Sequence, residues 1–348
     1  MRQLKPGLWL GEKTSRWASR RPDFDFDSKK WPGAILIPTG GTGGRVRWAV
    51  HRWTTLAVAA RALAKFLDAE GCTHVSTLPP WHVSGLMPAV RAIETGGHLW
   101  LQNWKSLESG QSPLIAPERA IISLVPTQLQ RLLPHRRAME WLRHTHAILL
   151  GGGAPPAALL AQARQRRLPV TLAYGLTETA AVVAAQTPQD FLAGLPPRVT
   201  PLPHAKIKTD AEGRIIIQAR SLFAGYYPAC RRRGPFATED FGALDAQGRL
   251  QPLGRLDRVI NSGGEKVHPT EVEREILATG LVKDVRVIGL PDAEWGERVT
   301  AIYTGLARNQ RTLKAALRGQ LAPAAQPKVW IHSKKSLLDQ AGSRKNNF

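Results

Sequence analysis

A glycine-rich segment is the part of the sequence whose composition points most directly to chemistry. Residues 38–47 read PTGGTGGRVR and hold Thr39, Gly40, Gly41, Thr42, Gly43, Gly44, Arg45 and Arg47. Consecutive glycines let backbone N–H groups turn inward around an anion, while the threonine hydroxyls and the arginines add donors and positive charge. The spacing is neither G-x-x-x-x-G-K-[ST] nor a G-x-G-x-x-G that opens a helix. It predicts a phosphate-binding loop of another kind, with a flexible glycine loop as the alternative.

Five further segments carry residues suited to nucleotide and acid chemistry, and they follow the glycine-rich segment in order. They are PPWHVSG at 79–85, GGGAP at 151–155, YGLTE at 174–178, TED at 238–240, and GRLDR with GGEKV at 254–258 and 263–267. Glu178 follows a predicted strand, at the edge where open α/β sheets bind ligands. A carboxylate beside polyphosphate is a natural magnesium ligand. Taken singly, the Thr177-Glu178 pair could be a helix start and His82 a buried core histidine.

Short apolar runs alternate with helically spaced segments through most of the chain. Strands are predicted at 34–38, 74–78, 98–101, 120–125, 147–150 and 170–173, and helices at 54–67, 86–93 and 157–165. This alternation predicts a layered α/β domain with a largely parallel sheet. The first of these helices follows the glycine-rich segment. A proline-rich stretch at 188–203 marks a change, and two short strands at 205–208 and 214–218 are predicted after it.

A smaller α+β unit is predicted from residue 254 onward. Pro269 begins a helix that continues to residue 277, and acidic Glu271 and Glu273 suit its positive N-terminal end. Strands are predicted at 284–290 and 299–303. The chain is therefore divided into a large domain, residues 1–253, and a small domain, residues 254–348.

Composition excludes several classes of protein. Of 348 residues, 43% are apolar and 22% are charged, which is typical of a globular chain. Cys72 and Cys230 are far apart and form no CxxC pair, so neither a disulfide framework nor a zinc site is expected. No apolar run approaches the roughly 18 residues of a membrane span, and the N-terminus has no signal-peptide pattern. We expect a cytoplasmic protein without an integral membrane segment.

The charge balance is strongly basic, with 48 Lys and Arg against 27 Asp and Glu and a net charge of +21. Such an excess attracts nucleic acid, anionic membranes or phosphate-bearing small molecules. The basic residues are scattered and lack the aromatic interleaving of an RNA-binding sheet. The charge alone does not choose among these partners. We expect no nucleic acid as a partner and a solvated basic surface as the alternative, with a nucleic-acid-binding module as a distant third possibility.

The six ordered motifs resemble those of the adenylate-forming superfamily of acyl-CoA synthetases, adenylation domains and luciferases. The glycine-rich segment resembles T-S-G-T-T-G-x-P-K, residues 79–85 resemble P-x-x-H-x-x-G, and 151–155 resemble G-G-A-P. Residues 174–178 match Y-G-x-T-E, 238–240 stand where the family has T-G-D, and the last two segments match G-R-x-D and G-G-E-x-[VI]. The resemblance implies a large α/β AMP-binding domain followed by a small, mobile C-terminal α+β domain.

The resemblance also implies a role for each matching residue. ATP phosphates would be held by Thr39, Gly40, Gly41, Thr42, Gly43, Gly44, Arg45 and Arg47, and the adenosine by Gly151, Gly152, Gly153 and Tyr174. Asp240 and Arg255 would bind the ribose, Thr177 the α-phosphate and Glu178 a magnesium ion. His82 would gate the acid pocket, and Asp257 would be the hinge of the small domain. Coenzyme A would enter past Gly263, Gly264 and Lys266.

Three departures from the family pattern are visible. Gly40 replaces the usual serine and Arg47 the usual lysine, which exchanges a compact ammonium for a planar fork. Only about forty residues precede the glycine-rich loop, fewer than in typical members. Ser343 stands where the C-terminal catalytic lysine is expected, which leaves Lys345 as the candidate.

Two segments narrow the resemblance within the superfamily. Residues 78–86 resemble L-P-x-x-H-[IV]-S-G-L, and residues 257–269 resemble D-x-[IV]-I-x-S-G-G-E-[KN]-[IV]-x-P, both as found in the 2-succinylbenzoate–CoA ligases of menaquinone and phylloquinone biosynthesis. This implies an AMP-forming acid–CoA ligase that uses ATP, Mg²⁺ and coenzyme A. Another acyl- or aryl-CoA synthetase, or a non-catalytic nucleotide-binding descendant, is the alternative, and the sequence does not indicate an oligomeric state.

Overall fold

The computed structural model describes residues 33–40, 46–228, 230–231, 234–305 and 310–333. The strands between residues 33 and 201 are β1 (Ile35–Gly40), β2 (Val46–His51), β3 (Thr73–Ser76), β4 (His98–Leu101), β5 (Ala120–Leu124), β6 (Ala147–Leu150), β7 (Val170–Leu176), β8 (Ala181–Ala185) and β9 (Thr200–Pro201). The helices among them are α1 (Trp53–Leu67), α2 (Val83–Glu94), α3 (Trp104–Glu108), α4 (Pro126–Leu132), α5 (Arg136–Arg143), α6 (Ala157–Gln165) and α7 (Pro188–Leu192).

The later elements are mostly strands. They are β10 (Ala205–Thr209), β11 (Arg214–Ala219), β12 (Gly225–Tyr227), β13 (Cys230–Arg231), β14 (Phe236–Leu244), β15 (Leu250–Arg255), β16 (Ile260–Ser262), β17 (Glu265–Val267), β18 (Asp284–Asp292), β19 (Gly296–Thr304) and β20 (Val329–His332). Two helices accompany them, α8 (Pro269–Ala278) and α9 (Gln310–Ala316).

The main sheet has seven strands in the order β4-β3-β5-β6-β7-β8-β9. Strands β4, β3, β5, β6 and β7 are parallel, β8 pairs antiparallel with β7, and β9 pairs antiparallel with β8. Every residue of β5 and β6 is buried, as expected for parallel strands covered on both faces. The predicted layered α/β fold with a largely parallel sheet is confirmed.

Side chains alternate along each strand, so an apolar strand presents an apolar surface on both faces of the sheet, and helices cover both. Ile122 and Ile148 belong to a core that includes residues of α4, α5 and α6. Their neighbours Ile121 and Leu149 belong to a second core shared with α1. The site-bearing loops therefore emerge from a sheet that is packed on both sides.

The described ends of the glycine-rich segment lie on two paired strands, the second of which was not predicted from the sequence. Strands β1 and β2 pair antiparallel, with Thr39 opposite Arg47, and β12 adds to the other edge of β2. The helix predicted at 54–67 is confirmed as α1, and the six residues of β2 precede it. Pairing on both sides fixes β2 as a strand, although its first two residues, Val46 and Arg47, are exposed.

The antiparallel sheet β10-β11-β14-β15 follows the main sheet. The two strands predicted at 205–208 and 214–218 correspond to β10 and β11 and are confirmed. The proline-rich stretch before them contains the short helix α7, whose N-terminus is capped by the Thr187 hydroxyl accepting from the Asp190 N–H at 3.1 Å.

The C-terminal elements form a sheet in the order β17-β16-β19-β18, with β20 parallel to β19. Its apolar side chains form their own core with α8 and α9, running from Ile260 to Trp330. The predicted helix is confirmed as α8, with Pro269 as its first residue. Strand β15 pairs with β14 and runs across the predicted boundary at residues 253 and 254, and the domain division stays a prediction. Within the described ranges, no helix combines the length and the apolar character that crossing a membrane requires.

Candidate active site

The carboxylate of Glu178 joins two of the predicted motifs. It lies in a 3₁₀ turn, Thr177–Thr179, directly after β7, and only 6% of the residue is exposed. Its Oε1 atom accepts a hydrogen bond from the Thr39 hydroxyl at 3.4 Å and a shorter one from the Tyr226 hydroxyl at 2.6 Å. The structure therefore brings Thr39, near the end of β1, against the acidic turn that carries Glu178.

Tyr226 was not identified from the sequence, because it belongs to none of the motifs. It lies on β12 opposite Ala49 of β2, and the Arg47 guanidinium lies over its ring at 4.4 Å. Burial and the hydrogen bond to Glu178 raise the pKa of Tyr226, so the phenol stays protonated and donates. Arg47 therefore contacts the ring of Tyr226, and the hydroxyl of Tyr226 binds Glu178 in the acidic turn. This connection is visible only in the folded structure.

His51 is the second residue that was not identified from the sequence, and it binds the backbone of the turn that carries Glu178. The residue is fully buried, and burial lowers its pKa to about 4, so the imidazole is neutral. Its Nε2 lies 2.7 Å from the carbonyl oxygen of Thr177, and its Nδ1 lies 3.0 Å from the Thr55 hydroxyl. The carbonyl can only accept, so Nε2 carries the proton and Nδ1 accepts from Thr55.

The local backbone explains the glycine of the YGLTE motif. A Cβ on Gly175 would lie 1.8 Å from the Ala181 carbonyl oxygen, a distance no side chain tolerates. Ala180 and Ala181 have positive φ angles of 55° and 70°, which are uncommon for residues with a side chain. Thr179 holds this tight reversal, since its hydroxyl donates to the Ala181 carbonyl at 2.6 Å. Glu178 is thus presented by a turn that needs glycine on its incoming strand.

Asp240 is the centre of a second group of predicted residues. Only 8% of Asp240 is exposed, its Oδ2 accepts from the Tyr174 hydroxyl at 3.0 Å, and its Oδ1 lies 3.3 Å from Nη1 of Arg255. Arg255 also donates two hydrogen bonds to Asp257, from Nε to Oδ1 at 2.8 Å and from Nη2 to Oδ2 at 2.6 Å. One guanidinium therefore bridges the carboxylate predicted to bind ribose and the one predicted to be the hinge.

The electrostatics of Asp240 link the two groups. Burial raises the pKa of Asp240, while the Tyr174 hydrogen bond and the Arg255 charge lower it. The negative charge of Glu178 acts in the same direction as burial and also raises the pKa of Asp240. Burial, followed by the Asp240 charge, raises the pKa of Tyr174, which keeps its hydroxyl a donor.

The predicted adenosine turn lies against the same sheet edge. Gly151 donates its N–H to the Leu124 carbonyl at 3.2 Å, and a Cβ on it would lie 3.2 Å from the Ala173 carbonyl oxygen. Gly152 has a φ of +83°, a conformation that favours glycine, and Gly153 is exposed. This turn therefore lies beside the start of the YGLTE motif.

The remaining described candidates lie in other places. His82 precedes α2 as its N-cap residue, and its ring centroid is 6.2 Å from that of Trp81. Gly263 and Gly264, at φ +61° and +83°, form the turn between β16 and β17, and a Cβ on Gly263 would lie 3.0 Å from the Trp295 ring. Lys266 is exposed on β17. Gly40 ends β1, whereas Gly41, Thr42, Gly43, Gly44, Arg45 and Lys345 lie outside the described residues.

Comparison with known proteins identifies the family. The profile of the AMP-binding enzyme family matches residues 9–227, and that of the AMP-binding enzyme C-terminal domain matches residues 271–344. The chain belongs to the AMP-binding enzyme family. This membership confirms the resemblance inferred from the ordered motifs.

Individual members of the AMP-binding enzyme family can also be compared. A 2-succinylbenzoate–CoA ligase of Listeria monocytogenes is 31% identical over 274 residues, which cover 76% of this chain and 58% of that protein. The o-succinylbenzoate CoA synthetase of Bacillus subtilis, solved with its acyl-adenylate intermediate, has a TM-score of 0.74 at 26% identity over 86% of this chain and 65% of that one. ATP-bound MatB of Rhodopseudomonas palustris also has a TM-score of 0.74 at 26% identity, with coverage of 86% and 64%. The chain spans about three fifths of the length of the curated relative it matches.

The acidic turn of this AMP-binding enzyme suits a magnesium ion that is shared with a nucleotide. In the described residues, no group of three or more His, Cys, Asp or Glu side chains could hold a metal without further ligands. The two hydrogen bonds to the Glu178 carboxylate, from Thr39 and Tyr226, both end on Oε1, and the neighbouring Thr39 hydroxyl oxygen is a further possible ligand. Magnesium is commonly bound by one or two carboxylates together with substrate phosphates and water. The donor set therefore fits the ion when phosphates complete its coordination.

Arg91 is a buried cation that the sequence analysis did not single out. Only 4% of it is exposed, and it lies on α2 with Nη2 at 3.1 Å from the Ser123 hydroxyl and Nε at 3.4 Å from His74 Nδ1. Burial lowers the pKa of Arg91 to about 10, so it remains charged at neutral pH. Burial, followed by the Arg91 charge, lowers the pKa of His74 to about 3, so that partner is neutral. Among the described residues no carboxylate forms an ion pair with Arg91.

Proposed function

We propose that this chain is an AMP-forming ligase that joins 2-succinylbenzoate to coenzyme A through an acyl-adenylate. The observation that carries the proposal is the hydrogen bond from Thr39, near the end of β1 in the glycine-rich segment, to Glu178. It supports a phosphate-binding loop and a metal-binding carboxylate that act on one ligand. The choice of acid rests on the similarity to 2-succinylbenzoate–CoA ligases, because MatB shares the fold equally well.

In the first half-reaction, a substrate carboxylate oxygen attacks the α-phosphorus of ATP. The bond from that phosphorus to the β-phosphate oxygen breaks, and pyrophosphate leaves with its electron pair. Backbone N–H groups of Gly40, Gly41, Gly43 and Gly44, the hydroxyls of Thr39 and Thr42, and the charges of Arg45 and Arg47 would hold the phosphates. Fixed donors and cations of this kind stabilise the negative charge that develops during the transfer.

The acidic turn would align the reacting phosphate. Glu178 would hold Mg²⁺, which supplies positive charge to the phosphate oxygens. Thr177 would contact the α-phosphate through a turn whose carbonyl is fixed by His51. Lys345 is proposed as the side chain that balances charge on the carboxylate and the α-phosphate.

The nucleoside would be bound by the group around Asp240. A carboxylate has about four acceptor positions, and the Tyr174 and Arg255 bonds use two of them. The others remain to accept hydrogen bonds from the ribose hydroxyls. Tyr174 and the turn of Gly151, Gly152 and Gly153 would enclose the adenine.

In the second half-reaction, the thiol sulfur of coenzyme A attacks the acyl carbonyl carbon. The thiol proton passes to solvent, the carbon–oxygen bond to AMP breaks, and AMP leaves. We propose that residues 254–348 turn on Asp257 between the two steps, while coenzyme A enters past Gly263, Gly264 and Lys266. His82 would close the acid pocket, and no protein nucleophile is needed because the adenylate is already activated.

The buried charge of Arg91 favours a dicarboxylate as the acid. 2-Succinylbenzoate has two carboxylates, and only one of them reacts, so the other stays negative in the pocket. An unpaired buried cation is unfavourable, and an anionic substrate group near α2 would offset that cost. His82 and Arg91 both belong to α2 or its N-cap, which brings the proposed pocket gate and the cation onto one element.

The test is formation of AMP and acyl-CoA from ATP, Mg²⁺ and coenzyme A with a panel of acids. The panel contains 2-succinylbenzoate, benzoate, a coumarate, acetate and a medium-chain fatty acid. Selective turnover of 2-succinylbenzoate, abolished in Glu178→Ala and kept in the exposed control Glu212→Ala, would support the proposal. Turnover of another acid alone would reject the substrate, and nucleotide binding without product from any acid would favour a non-catalytic descendant.

A further inference from the structure

A cavity of about 250 Å³ lies between helix α1 and the segments that flank the β10–β11 hairpin. Its polar lining consists of Arg61 and Lys65 from α1, His204 from before β10, and Arg220 from after β11. None of the described residues that the motifs assign to ATP, acid or coenzyme A lines it. The cavity is therefore separate from the candidate active site.

The cavity carries an excess of positive charge. Arg61 and Lys65 are four residues apart and share one face of α1. Arg61 forms an ion pair with Glu94, which balances its charge and holds its guanidinium in place. Neither Lys65 nor Arg220 forms an ion pair with any described residue. Two positive charges therefore remain unbalanced around one concavity.

His204 adds an unsatisfied polar atom to the same wall. Only 5% of the residue is exposed, and its Nε2 lies 2.9 Å from the Ser221 hydroxyl. Its Nδ1 is buried and has no hydrogen-bond partner among the described residues. Burial, followed by the charge of Arg220, lowers the pKa of His204 to about 4, so the imidazole is neutral. When Ser221 donates to Nε2, Nδ1 carries a proton that a small shift would offer to an anion.

We propose that this cavity binds a small phosphate-bearing anion, with Lys65 and Arg220 supplying the charge and His204 a neutral hydrogen bond. Two unbalanced cations match a polyvalent phosphate better than a singly charged carboxylate, and charge-assisted bonds to phosphate are strong. The volume is below the roughly 300–1,000 Å³ of pockets for drug-sized ligands, which favours pyrophosphate or the phosphate of a mononucleotide over a larger molecule. A single concave site does not offer the extended groove that a nucleic-acid strand needs.

The experiment measures binding of inorganic pyrophosphate and of AMP by isothermal titration calorimetry. It compares the wild-type chain with Lys65→Gln/Arg220→Gln and with the control Arg137→Gln/Lys208→Gln, which removes the same charge from exposed positions elsewhere. All three proteins keep the candidate active site, so binding there contributes equally to each titration and does not affect the comparison of their affinities. We expect one class of pyrophosphate site to weaken by about tenfold or more in the cavity variant, and to be unchanged in the control, because two charge-assisted bonds are lost.

A second measurement does not depend on the variants. Acetylation of surface lysines in the wild-type chain is compared with and without pyrophosphate, and Lys65 should be protected while Lys208 is not. Binding of both probes in the cavity would assign a general phosphate site, and binding of pyrophosphate alone would assign an inorganic anion. Equal loss of affinity in the two double variants, or no protection of Lys65 by either probe, would overturn the proposal.

Discussion

The Nε2 atom of His51 lies 2.7 Å from the carbonyl oxygen of Thr177, which ties the hairpin strand β2 to the turn that presents Glu178. The same strand carries Arg47 four residues earlier, and the partner strand β1 carries Thr39. A buried imidazole therefore connects the strand that follows the predicted phosphate loop to the turn that carries the predicted metal ligand, in addition to the hydrogen bonds from Thr39 and Tyr226 to Glu178. Because His51 does not itself face a substrate, it acts by positioning.

Replacing His51 should reduce catalysis more than substrate binding. His51→Leu removes the donor to Thr177, and we expect kcat for AMP formation to fall about tenfold or more, since misplacement of reacting groups is costly. The KM for the acid should change little, because the acid pocket lies elsewhere. His51→Gln, whose amide can still donate, should recover part of the rate. Equal kinetic parameters in the wild type and His51→Leu would contradict a positioning role.

The buried histidine also predicts how stability depends on pH. The folded-state pKa of His51 is about 4, below its ordinary value of 6.5. The unfolded chain therefore binds more protons between these two values, so His51 favours folding above pH 6.5 and loses that contribution as pH falls toward 4. Each such group contributes a slope of up to about 1.4 kcal/mol per pH unit. The free energy of unfolding is measured with urea at pH 7.5 and 5.0. It should fall less between these pH values in His51→Gln than in the wild type, and an equal fall would refute a lowered pKa for His51.

The Tyr226 hydroxyl should matter because it donates to Glu178 at 2.6 Å. Tyr226→Phe leaves the ring beneath Arg47 but removes that donor, and we expect a loss of about 1.5–3 kcal/mol in the free energy of unfolding, as for hydrogen bonds to charged groups. AMP formation should slow by about tenfold because Glu178 loses its orientation. In a Glu178→Gln background, Tyr226→Phe should lower the free energy of unfolding by less than it does in the wild type. Equal losses in the two backgrounds would argue against coupling between Tyr226 and Glu178.

The sequence predicted the parts of the site that lie in local patterns. Thr39, Tyr174, Glu178, Asp240 and Arg255 were named from their motifs, and the structure places them in two interacting groups. Parallel strands such as β5 and β6 were predictable because a short apolar run between turn signals leaves few other interpretations. The functional roles of these residues stay predictions.

The residues that were missed depend on long-range contacts. Tyr226 and Glu178 are 48 residues apart, and His51 and Thr177 are 126 apart, so no local pattern links them. Strand β2 was missed because its identity comes from pairing with β1 and β12 rather than from its own composition. Arg91 was missed because an arginine within a helix is ordinarily exposed, and only packing of α2 against β3 and β5 buries it.

Arg255 should be required for ATP binding because it bridges two carboxylates. Lysine keeps the charge but has no planar fork, so Arg255→Lys cannot hold Asp240 and Asp257 together. We expect the KM for ATP to rise by about tenfold, the equivalent of about 1.4 kcal/mol. Arg249→Lys is the control, since Arg249 binds Asp245 in the turn between β14 and β15, away from Asp240 and Asp257. A similar rise of KM in both variants would show that the effect is not specific to the bridge.

Gly175 should tolerate no side chain, whereas a neighbouring glycine of the site should. A Cβ on Gly175 would meet the Ala181 carbonyl oxygen at 1.8 Å, so Gly175→Ala must displace the turn that carries Glu178. We expect a loss of about 2–3 kcal/mol in the free energy of unfolding, together with loss of AMP formation. Gly153→Ala is the matched control for stability, because nothing lies within 4 Å of its Cβ position, and its effect should stay within about 0.5 kcal/mol. Urea denaturation of the two variants measures the difference, and equal stability would mean that β7 and β8 can separate at this turn without cost.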